Sequence, residues 1–116
     1  MIPLAPGSSI FVVNESVSFA CRLNGMLGIC RDVLAIEPMD GAYIVFRNRK
    51  GTMIRVIFYD GDGFWLCEKR FSQGSIRHWC GRGGAITSVT ARELGVLLWR
   101  GNPAGAGFPS LWKKLA

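Results

Sequence analysis

One stretch constrains the fold more than any other. Residues 42–79 read AYIVFRNRKGTMIRVIFYDGDGFWLCEKRFSQGSIRHW, and three turn signals cut them into four strand-like runs. Ala42–Arg47 is closed by Asn48-Arg49-Lys50-Gly51, and Thr52–Tyr59 by Asp60-Gly61-Asp62-Gly63. Phe64–Phe71 is closed by Ser72-Gln73-Gly74, and Ser75–Trp79 follows. β-Branched and aromatic residues fill the runs, while Gly, Asp, Asn and Ser fill the gaps. Connections this short join antiparallel neighbours, because a parallel return needs a crossover of about a dozen residues. The pattern predicts a four-stranded antiparallel meander.

Alternation assigns the faces of that meander. Ile54, Val56 and Phe58 share one face, opposite Met53, Arg55, Ile57 and Tyr59. Trp65, Cys67, Lys69 and Phe71 oppose Phe64, Leu66, Glu68 and Arg70. Neither face is wholly polar, so both need cover. A helix is expected on one, and the C-terminal segment or a second protomer on the other.

The flanks supply that cover. Residues 1–8, with two prolines and a glycine, read as an extended arm, and Ser9–Asn14 as an added edge strand. Asn14 or Ser16 offers an N-cap, and apolar residues at Phe19, Leu23, Met26, Leu27, Cys30, Val33 and Leu34 have helical spacing. One long helix is expected from there to about Ile36. Gly25 and Gly28 lie within it and form a smooth patch, suited to a partner contact or to packing on the chain's own sheet. Glu37-Pro38-Met39-Asp40-Gly41 stops the helix. Cys80–Ala85 reads as a link. Thr90 and Glu93 then have capping-box spacing before a short helix running to about Trp99. Residues 101–116, Gly-rich at first, read as a flexible tail. The fold class is therefore α+β: a meander of four to five strands, one long N-terminal helix and a short C-terminal helix, in one domain spanning 1–116.

Composition narrows the function classes. At 116 residues and 49% hydrophobic, the chain is suited to one packed core and not to disorder. No apolar run approaches the ~20 residues of a membrane-spanning helix. Residues 1–16 lack the basic and apolar regions of a secretory signal, so a cytoplasmic location with reduced cysteines is expected. The net charge is +6, and the span from Arg47 to Arg82 holds eight Lys or Arg against three acids. Cations interleaved with aromatics suit phosphates and stacked bases. Arg47, Arg49, Lys50, Arg55, Lys69, Arg70 and Arg77 are the candidate nucleic-acid-binding residues, and Tyr59 and Trp79 are the aromatics interleaved with them in the sequence.

Catalytic constellations are sparse. His78 is the only histidine, and Cys67 with His78-x-Cys80 matches no common zinc spacing. Asp60 and Asp62 alternate in a Gly-rich loop, which admits a divalent metal, but the distal glutamate of an EF-hand is absent and a hairpin turn explains the pair. No phosphate-loop, dinucleotide or nucleophile-elbow motif occurs. No enzyme, cofactor or metal is expected; a metal-dependent nuclease is the remote alternative.

Several motifs resemble one family. They are Met1-Ile2-Pro3-Leu4, Val45-Phe46-Arg47-Asn48-Arg49-Lys50-Gly51, Tyr59-Asp60-Gly61-Asp62-Gly63-Phe64-Trp65-Leu66, and Lys69-Arg70-Phe71 with Gly74 and Trp79. Leu94–Leu98 adds a late leucine-rich helix. In order and spacing they resemble the accessory TnpB proteins of the insertion sequence sixty-six class, which are distinct from the RNA-guided nucleases of the same name. The resemblance implies a small non-catalytic helper acting beside a larger transposase. DNA, the transposase and a second copy of the chain are the partners to test. With the family's helix-entry glycine set on Gly25, Ser18-Phe19-Ala20-Cys21 stand where Asp-Met-Arg-Lys is usual.

Overall fold

The computed structural model describes residues 9–79, 81 and 83–101. Five strands and two helices appear in chain order: β1 Ile10–Val13, α1 Leu23–Asp32, β2 Tyr43–Arg47, β3 Met53–Tyr59, β4 Phe64–Arg70, β5 Ile86–Val89 and α2 Ala91–Leu98. The strands form one sheet of order β4-β3-β2-β1-β5. The expected α+β class holds, and β2, β3 and β4 pair antiparallel through the two turns that the sequence marks.

The sheet is mixed, however, and not a pure meander. β1 runs parallel to β2, with Ile10 opposite Tyr43, and antiparallel to β5, with Ile10 opposite Val89. β1 is therefore an interior strand, not the added edge. The run Ser75–Trp79 forms no strand; its Ile76 N–H instead donates to Gly51 O. β5 supplies the fifth strand, from residues between the expected link and the Thr90–Glu93 capping box for which no strand was expected. Residues 1–8, Cys80, Arg82 and residues 102–116 lie outside the described residues, and with them the expected arm and nearly all of the expected tail.

α1 is also shorter than the periodicity suggests. The N–H of Val17 goes to Arg47 O, so the segment before α1 runs beside β2 and does not coil. Asn14 and Ser16 are not its caps. The Asn14 amide instead donates to Gly83 O and Gly84 O, and its Oδ1 accepts from Thr87 Oγ1. Arg22 occupies the N-cap position with extended backbone and no capping side chain. Ala35, left-handed at φ 55°, turns the chain beyond the helix, where Ile36 N–H reaches back to Cys30 O.

Both faces of the sheet are covered. α1 places Met26, Leu27 and Cys30 on Val13, Ile44, Phe46 and Ile57. α2 places Leu94 and Leu97 on Ile10, Val12, Val45, Ile54 and Val56. The C-terminal helix is thus the cover for the second face. Its start follows the local signal: the Thr90 hydroxyl accepts from Glu93 N–H and the Glu93 carboxylate accepts from Thr90 N–H. Among the described residues no helix is long and apolar enough to cross a membrane.

Candidate nucleic-acid interface

The turn between β2 and β3 is built around a nearly buried asparagine. Asn48 is 9% exposed. Its Oδ1 accepts from the N–H groups of Thr52 at 2.8 Å and Met53 at 3.0 Å, and its Nδ2 donates to Thr52 Oγ1. Gly51 closes the loop at φ 69°, a conformation that a side chain would strain. This bracing leaves Arg49 and Lys50 exposed at the tip.

The β3–β4 register brings a third cation to the same end. Met53 lies opposite Arg70, so the end of β4 reaches the turn. A groove of about 530 Å³ opens there, lined by Ser18, Phe19, Arg49, Lys50, Met53 and Arg70 among others. Among the described residues no acidic side chain lines it. Arg77 is exposed and follows Ile76, whose N–H donates to Gly51 O. Arg49, Lys50, Arg70 and Arg77 are thus gathered around one end of the sheet.

The other three candidates are placed elsewhere. Arg47 projects to the α2 side, its guanidinium 5.1 Å from the Trp79 ring centre and donating to Asn14 O at 2.8 Å. Burial lowers its pKa, and its Nε has no hydrogen-bond acceptor among the described residues. Lys69 projects to the same side and donates to Leu98 O at 2.7 Å, with the Trp99 ring 4.3 Å away. Arg55 lies on the α1 side, where Nε donates to Glu68 at 2.7 Å and Nη1 to Cys21 O at 2.8 Å over the Phe19 ring. Each of these three ties one part of the chain to another, so the seven cations do not form one sheet surface.

Sequence reasoning missed two contributors. Phe19, read as a helix-face residue, lines the groove. Arg100 lies over the Phe71 ring at 4.7 Å and donates to Gln73 O, which brings a cation from beyond α2 to the end of β4. Phe19 sits where the family motif is altered, and that was a usable signal. Arg100 had none, because its position depends on how α2 docks.

The remaining candidates are structural in their contacts. Asp60 accepts from Gly63 N–H and Asp62 N–H at 2.8 Å and from the Trp65 indole at 2.8 Å, and these bonds hold its carboxyl below the usual range. Cys67 packs against the α2-side core, whereas His78 is exposed. Burial pushes the Cys30 thiol up to about 11. Gly25 and Gly28 make no close approach to the sheet. A Cβ on Gly25 would meet Cys21 Cβ at 2.6 Å, and one on Gly28 would meet nothing within 4 Å.

Three comparisons bear on this arrangement. Residues 8–103 match the family model described as IS66 Orf2 like protein. The uncharacterized protein y4hO of Sinorhizobium fredii is 30% identical over 104 residues, which cover 86% of this chain and 90% of that protein. The uncharacterized protein y4jC of the same organism is 31% identical over 74 residues, covering 64% and 63%. No solved structure matches the chain.

Proposed function

The chain belongs to the IS66 Orf2-like family of insertion-sequence proteins, and we propose that it assists DNA transposition without chemistry of its own by holding DNA through its backbone phosphates. Arg49, Lys50, Arg70 and Arg77 make the contacts; Arg47, Arg55 and Lys69 brace the scaffold that presents them. One observation carries this reading: among the described residues three cations and no acid line the groove at the end of the sheet. Contacts of this kind position a protein on DNA without reading its sequence.

Anisotropy of a labelled duplex across a salt series tests the proposal. Four phosphate contacts correspond to a log–log slope of roughly −3.6. Absence of binding at low salt, or affinity indifferent to salt, removes the DNA reading. The second reading, a subunit that contacts the transposase or another protein without touching DNA, is supported by the exposed Gly25 and by the open space before Gly28. Co-purification with the transposase that survives bulky substitution at Gly28 argues against that patch.

A further inference from the structure

β4 is an edge strand with nothing beside its outer side among the described residues. The bonds from Asp60 N–H to Gly63 O and from Phe71 N–H to Thr52 O set the phase of the β3–β4 ladder. In that phase residues 65, 67 and 69 aim their backbone groups at β3, while Phe64, Leu66, Glu68 and Arg70 aim theirs outward. Edge strands are usually guarded by free charges. Here Glu68 accepts from Arg55 and Lys69 donates to Leu98 O, so the two central charges are engaged within the chain. Two tryptophans stand exposed beside this edge, Trp65 at 54% and Trp99 at 76%, the latter against Lys69.

We propose that β4 pairs with β4 of a second copy, antiparallel and centred on Cys67, to give a continuous sheet of twice five strands. The register follows from the ladder. Outward-aimed residues must meet outward-aimed residues, so the two-fold axis passes through a residue, and the axes that keep most of the strand paired are those through Leu66, Cys67 and Glu68. An axis through Glu68 sets that carboxylate against its own copy, and like charges directly opposite are unfavourable. An axis through Leu66 runs the pairing into the Asp60–Gly63 turn and leaves Arg70 beyond the partner strand. An axis through Cys67 pairs all seven residues of both strands. It places Trp65 opposite the partner's Lys69, an indole facing an ammonium, and repeats that contact at the symmetric position. This self-complementarity is the reason for assigning the edge to a second copy of the chain and not to another protein. The two α1 helices then share one side of the joined sheet and the two α2 helices share the other. Cys67 faces its symmetry mate in a non-hydrogen-bonded pair, with Cα atoms about 4.5 Å apart, within the span of a disulfide.

Light scattering on the full chain, oxidative cross-linking and two variants test the pairing together. The expected mass is twice the 12.8 kDa of one chain. Copper–phenanthroline, which accepts the two electrons released as two thiolates join, is expected to yield a Cys67–Cys67 disulfide on peptide mapping. Trp65→Lys and Trp65→Glu, each made together with Asp60→Asn because the Asp60 carboxylate lies beside residue 65, place opposite charges before the partner's Lys69. Trp65→Lys is expected to dimerise roughly tenfold more weakly than Trp65→Glu, with circular dichroism unchanged between them. A monomer at all concentrations, a dimer whose cross-link excludes Cys67, or equal dimerisation of the two variants overturns the proposal.

Discussion

Arg55 Nε lies 2.7 Å from Glu68 Oε1, and the β3–β4 register sets the two residues directly opposite each other. The same guanidinium reaches back to Cys21 O just before α1. A strand pair and a loop are thus held through one side chain. Arg55→Ala is expected to cost about 2 kcal/mol in urea unfolding, since bonds to a charged group and a carbonyl are both lost. The salt slope of DNA binding is expected to stay as it was.

The exposed cations behave in the opposite way. Arg49→Ala, Lys50→Ala, Arg70→Ala and Arg77→Ala are each expected to lower the magnitude of the salt slope by about 1 while changing stability by less than about 0.5 kcal/mol. Urea unfolding and anisotropy on the same samples separate the two groups of residues.

Ala35 holds a backbone conformation that suits glycine, at φ 55°. An L-residue in that region is disfavoured by about 1 kcal/mol or more. Ala35→Gly is therefore expected to raise the unfolding midpoint, a gain partly offset by the greater freedom of glycine in the unfolded chain.

At the start of α2, Thr90→Ala removes the acceptor for Glu93 N–H. The expected loss is about 1 kcal/mol. Thr90→Ser keeps the hydroxyl and is expected to keep the stability, and thermal unfolding of both variants checks the pair.

Asp60 carries a pH dependence of known sign. Hydrogen bonds from Gly63, Asp62 and Trp65 lower its folded pKa below the unfolded value. Its stabilisation is therefore full above the unfolded pKa and is lost as pH falls through the folded one. The Trp65 indole proton is expected to shift in NMR spectra with an acid midpoint below the ordinary ~3.9 of an aspartate. Asp60→Asn is expected to abolish that transition.

What the sequence made legible was local. The Asn48–Gly51 and Asp60–Gly63 turns and the Thr90–Glu93 box depend on residues within five positions of one another, and all three form. The pairing of β1 with β2 and β5 does not, and four residues of Ile-Thr-Ser-Val beside a capping box carry too little pattern to announce a strand. The start of α1 was misread because Asn14 spends its amide on carbonyls about 70 positions away. The candidate site divided for a similar reason. Strand alternation grouped Arg55 with Met53, Ile57 and Tyr59, and Lys69 with Trp65, Cys67 and Phe71, but which cations would find carbonyls or aromatic rings depended on Leu98, Trp79 and Phe19, whose positions only the packed fold supplies.

The interior place of β1 has a consequence for synthesis. Residues 10–13 leave the ribosome before residues 86–89, yet one flank of that strand waits for those later residues. Until those arrive, a hydrophobic ribbon with open amide groups is available to any passing chain, and contacts this distant form slowly. A nascent product stalled after β4 would carry that sticky seam permanently, which makes the interval between the synthesis of β4 and that of β5 the one in which this chain most needs a chaperone.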